Sequence, residues 1–149
     1  MKKLTLLIAA AFISAMALTS CIPSTESSGW LKGTTWEADL VGKQVSYGYM
    51  DGEHTINGGL MKIHFSSQGY KLIYEFSADL GITSQGQITS RSFPEYSFPE
   101  LNIPFTIGDD KDDQETVYST GIFSDDLDEI YFDELNTGNM VIKDVTFIR

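Results

Sequence analysis

The residues from Trp30 onward predict an antiparallel all-β domain. Three observations carry that expectation. No stretch after Cys21 repeats its apolar residues at helical spacing. Val, Ile, Tyr, Phe and Thr gather instead in short segments, split by Gly, Asp, Asn and Ser. Two neighbouring segments also alternate apolar and polar residues, the period of a strand with one face buried. About eight strands are expected, which suits a closed up-and-down barrel or a sandwich.

The first strand is Thr34 to Leu40, with Thr34, Trp36, Ala38 and Leu40 on one face. Val45 to Tyr49 continues it past Gly42, a candidate bend or bulge. Met61, Ile63 and Phe65 alternate with Lys62, His64 and Ser66. The turn Ser66 to Gly69 follows, and then Tyr70, Leu72, Tyr74 and Phe76 alternate with Lys71, Ile73, Glu75 and Ser77. This pair is the clearest hairpin in the chain. Gly86 to Phe93 reads as a weaker strand. Pro94, Pro99 and Pro104 break the next region into an edge strand, a loop or several short pieces. Glu115 to Ser124, Leu127 to Asp133 and Met140 to Arg149 supply the last three strands, joined in order by the turns "SDDLD" and "LNTGN".

The formal net charge is −11. Such a surface repels nucleic acid and anionic lipid and favours solubility. Cys21 is the only cysteine, so no intrachain disulfide is possible and packing alone must hold the domain.

That cysteine has a different use. Met1-Lys2-Lys3 precedes an apolar run from Leu4 to Leu18, the charge-then-apolar layout of a secretory signal. The run is shorter than the ~20 residues a spanning helix needs. Leu18-Thr19-Ser20-Cys21 resembles the bacterial lipobox. The resemblance implies cleavage before Cys21, diacylglycerol on its thiol and acylation of the new amine. Residues 1–20 are then a lipoprotein signal peptide. Residues 21–29 are the lipidated Cys and a Ser/Thr-rich linker with too little apolar surface to order itself. The partner so implied is a membrane, held through lipid on Cys21, with several acyl chains for stable anchoring. The expected location is the bacterial cell envelope. Ile22, which is not an acidic retention signal, points to the outer membrane.

Residues 30–149 carry a second resemblance. "WLKGTTW" opens the domain and "VTFIR" closes it. The sequence resembles the lipocalin-like (calycin) lipoproteins, in which a short helical turn leads to a Gly and then to a Trp at the base of the barrel. Trp36 would be that Trp, Gly33 the Gly, and Arg149 the cation above the ring. The family spacing is Gly-x-Trp, whereas two residues separate Gly33 from Trp36 here. The resemblance implies an eight-stranded up-and-down barrel, the form of the fold expected.

No catalytic constellation stands out, and an enzyme is not expected. His54, in the turn-rich "DGEHTING", and His64, on a polar strand face, read as surface or hydrogen-bonded histidines without a cysteine partner for zinc. Asp109 to Glu115 clusters acids but lacks the glycine and closing glutamate of a calcium loop. No metal and no cofactor are expected. Aromatic side chains are the remaining lead. Tyr70, Tyr74 and Phe76, on the inward face of one strand, are the candidate lining for a small hydrophobic ligand. The alternative is a protein-binding or inhibitory module without a cavity, using the Pro-rich segment Ser92 to Phe105.

Overall fold

Met61, Ile63 and Phe65 leave water together with Tyr70, Leu72 and Phe76, and this shared burial builds the expected central hairpin. A computed structural model describes residues 29–108 and 110–149. Residues 1–28, where the signal peptide, lipid-bearing Cys21 and most of the linker are expected, and Asp109 lie outside the described residues.

The described residues form one all-β domain. After a 3₁₀ turn at Gly29–Leu31 come β1 (Thr35–Asp39), β2 (Gln44–Tyr47), β3 (Glu53–Phe65), β4 (Tyr70–Ala78) and β5 (Thr83–Ser90). β6 (Glu95–Ser97), β7 (Glu100–Ile107), β8 (Glu115–Phe123), β9 (Glu129–Asn136) and β10 (Met140–Ile148) follow. All belong to one antiparallel sheet in the order β5-β4-β3-β1-β10-β9-β8-β7-β6, with β2 also lying between β10 and β3.

The sheet has ten strands, not about eight, because the first expected strand is split and the proline-rich region adds a short hairpin. β1 and β2 keep one register on β3: Thr35 faces His64 and Ser46 faces Glu53 in a single antiparallel frame. The break falls at Val41-Gly42, where Gly42 takes a φ of +79°. β6 is a three-residue return onto β7, carved from the proline-rich region.

β3 starts earlier than expected. The turn-rich "DGEHTING", Asp51 to Gly58, enters the strand from Glu53 onward, with Glu53 to Thr55 paired to β2 and Ile56 and Gly58 paired to β4. The register on β4 shifts between Ile56 and Gly58, a bulge.

A continuous core lies on one face of the sheet. It includes Trp36, Met61, Phe65, Tyr70, Phe105, Phe132 and Phe147. The first and last strands ladder together, with Glu37 opposite Ile148. The strands next to the two ends of the path also meet. Tyr70 on β4 stacks edge-on against Phe105 on β7, with centroids 5.6 Å apart, and its hydroxyl donates to the Pro104 carbonyl. Burial pushes the Tyr70 phenol well above its usual range, so it stays a proton donor.

One end of the domain is plugged by aromatic rings. Trp30 meets Trp36, Tyr96 and Phe123 at centroid distances of 6.3, 6.0 and 5.3 Å. Thr34 fixes the second indole. Its hydroxyl donates to the Leu31 carbonyl and accepts the Trp36 Nε1–H at 2.8 Å.

Candidate binding site

The opposite end of the strands is open. There Tyr47 closes β2, Ser84 follows the first residue of β5, and Thr137 and Asn139 turn the chain between β9 and β10. A cavity of about 360 Å³ lies among them, lined also by Tyr49, Tyr74, Ile88 and Met140.

Each wall has a local cause. Tyr74 faces Gly86 directly across the β4–β5 ladder. A Cβ on Gly86 would lie 2.6 Å from the Tyr74 hydroxyl, so the glycine is what lets the ring lie across β5. Tyr47 reaches over two intervening strands to share a 2.6 Å hydrogen bond between its hydroxyl and Ser84 Oγ. Burial pushes the Tyr47 phenol above its ordinary value, against the lowering effect of the Ser84 bond. Tyr49 stands 5.4 Å from Tyr47 and is 75% exposed, so it forms the outer lip. The Asn139 carbonyl accepts the Gly48 N–H at 3.0 Å and ties the β9–β10 turn to the Tyr47–Tyr49 segment.

Behind Tyr47 stands His54, with its ring 6.3 Å away. It is buried, not on the surface: β3 continues past it, and Asp79 meets it from the β4–β5 turn. Its Nδ1 lies 2.8 Å from Asp79 Oδ1, while Asp79 Oδ2 accepts the Thr55 N–H. That backbone bond first, and His54 second, hold the Asp79 carboxyl below its usual pKa. Nε2 of His54 is buried without a hydrogen-bond partner among the described residues. His64 is exposed and its Nδ1 lies 2.9 Å from the Thr35 hydroxyl.

The three candidate ligand residues do not converge. Tyr74 lines the open cavity. Phe76 is buried and borders a separate depression beside Gly58, Gly59 and Glu75. Tyr70 is 2% exposed and spends its hydroxyl on Pro104. Tyr47 and Tyr49 share the cavity with Tyr74, and the signal for them was their two-residue spacing after the Gly42 break. A wider depression, about 770 Å³, lies along β1 on the face carrying Glu37, Asp39 and Leu60, with no converging set of buried polar groups.

At the plugged end, the expected partners were Trp36 and Arg149. Arg149 stands over Trp30, 5.9 Å from the ring centroid, and Trp30 passes the contact to Trp36 edge-on. The Pro-rich segment is mostly part of the sheet. Pro94, Leu101, Ile103, Pro104 and Phe105 are buried, while Phe98 is exposed.

Among the described residues no group of three or more His, Cys, Asp or Glu is placed to hold a metal ion. No helix among them is long and apolar enough to cross a membrane. No family model, curated protein or solved structure matches the chain.

Proposed function

We propose that this chain is a lipid-anchored envelope protein, tethered at Cys21, whose lipocalin-like domain binds a small amphipathic ligand in the open end. The sheet is read as a rolled barrel with a seam between β5 and β7. Two contacts support the roll: Tyr47 to Ser84 across two strands, and Tyr70 to Pro104 between distant parts of the strand path. The observation that carries the binding role is the cavity between Tyr47, Tyr49 and Tyr74. Its tyrosines, Ile88 and Met140 suit a flat apolar or aromatic body, and Gln85, Gln87, Thr137 and Asn139 suit a polar edge. The ligand class is thereby narrowed from simply hydrophobic to one with hydrogen-bonding groups. Leu101, Ile103, Pro104 and Phe105 of the Pro-rich segment are buried in the sheet, which weakens support for a docking module built there, while Glu95 and Ser97 to Glu100 stay exposed.

The test uses the neutral dye 1-N-phenylnaphthylamine and residues 29–149 secreted without lipid. Tyr74→Ala is expected to weaken dye binding about tenfold, roughly 1.4 kcal/mol. Tyr70→Phe, which leaves the cavity intact, is expected to bind as the parent does. Equal binding by parent and Tyr74→Ala would place the dye elsewhere and contradict the reading.

A further inference from the structure

The two strands at the seam differ in how their free edges are protected. Ala78 donates its N–H to the Ile82 carbonyl at 2.8 Å, and the β4–β5 register then runs unbroken from Ser77 opposite Thr83 to Tyr70 opposite Ser90. Hydrogen-bonded pairs alternate along an antiparallel ladder. Ser84, Gly86, Ile88 and Ser90 therefore bond to β4. Thr83, Gln85, Gln87 and Thr89 turn their N–H and C=O groups away from it, and β5 ladders with β4 alone.

β7 presents the reverse case. Phe123 N–H donates to the Pro99 carbonyl at 2.8 Å, so the odd-numbered residues of β7 bond to β8. Its even-numbered residues face the other way. Glu100 and Asn102 are taken by β6, Pro104 has no N–H, and the Pro104 carbonyl holds the Tyr70 hydroxyl. This is why no ladder closes the seam: β7 has little left to offer β5.

Exposed strand edges are ordinarily guarded by charge, proline, a bulge or shortness. β5 has none of these. "TSQGQITS" is uncharged, free of proline, unbulged and eight residues long. The tyrosine-lined cavity also opens against this strand, since Thr83, Ser84, Gln85, Gln87 and Ile88 all border it.

We propose that the β5 edge is a docking site for an extended segment of a partner protein, added as a further antiparallel or parallel strand. The backbone of Thr83, Gln85 and Gln87, the outward-facing residues that border the cavity, supplies the ladder. Alternate side chains of the incoming strand enter the cavity beside Tyr74 and Ile88. Net charge selects the occupant. At −11 the chain repels a second copy of itself and favours a neutral or basic segment. This proposal rests on the edge and does not require a small ligand in the cavity.

The test selects from a phage-displayed pool of random 12-residue peptides on the intact chain, held on beads by a C-terminal tag. Gln87→Pro serves as the counter-selection. It removes one outward N–H that β4 does not use, so the strand should tolerate it. Enrichment of non-acidic peptides with alternating apolar residues is expected, binding the parent at least about tenfold more tightly than Gln87→Pro. Amide exchange provides the second readout. A selected peptide should slow exchange at Gln85 and Gln87 in the parent while Gly86, already laddered, changes little. No enrichment over the variant, or peptides that leave those two amides unprotected, would overturn the proposal. Protection that rises with chain concentration in the absence of peptide would assign the edge to self-pairing and overturn the choice of partner.

Discussion

At the scale of single residues, hydrogen-bond geometry decides the properties that titration reports. Tyr131 on β9 donates its hydroxyl to Asp144 Oδ1 at 2.9 Å, and this carboxylate holds the proton on the phenol, pushing its pKa up from 10.0 to about 12. The folded chain therefore keeps a proton that the unfolded chain releases. The resulting stabilisation is complete below about pH 10 and is lost as pH rises through about 12. Asp144→Asn should return the Tyr131 titration towards 10, followed by carbon NMR of labelled tyrosine. An unmoved titration would show that another group holds the proton. Asp79 works in the opposite sense. Its lowered carboxyl pKa contributes stability above the unfolded value that is lost as pH falls through the folded one.

At the scale of elements, the β3–β4 pairing depends on one close approach. Gly59 has a φ of +131°, and a Cβ there would lie 2.3 Å from the Glu75 carbonyl oxygen and from Phe76 Cα. Backbone cannot yield as a flexible side chain can. Gly59→Ala is expected to destabilise the chain by at least about 2 kcal/mol in urea unfolding. A loss under 0.5 kcal/mol, roughly the size of an ordinary surface substitution, would mean the strands separate without cost. This bulge also marks the limit of what sequence patterning reveals. Alternation alone located the Met61–Phe65 and Tyr70–Phe76 strands, because each buries one face. It missed the strand start within "DGEHTING", where Asn57 and Gly58 have poor strand propensity and the ladders with β2 before them and with β4 override it. His54 reads as surface or hydrogen-bonded, and the sequence does not choose between these because its partner Asp79 arrives only through the β4–β5 turn, 25 residues away. Tyr74 was legible as an inward aromatic. That Tyr47 and Tyr49, not Tyr70 and Phe76, join it follows from how far the sheet curls, which no local pattern encodes.

At the scale of the whole molecule, the two ends of the domain differ in how they are filled. Gly29, where the described chain leaves the proposed tether, belongs to the end plugged by Trp30, Trp36, Tyr96 and Phe123. The tyrosine cavity lies at the other end of the same strands. In the proposed anchored state the tether leaves from the plugged end, and the acidic surface keeps the domain off anionic lipid. The most direct test of the binding role is native mass spectrometry of residues 29–149, secreted without lipid and kept free of detergent. The account predicts an added mass that disappears on denaturation and is absent from Tyr74→Ala. An added mass retained at the same occupancy in Tyr74→Ala, or a bare-chain mass in a preparation that also fails to bind the dye, would contradict it.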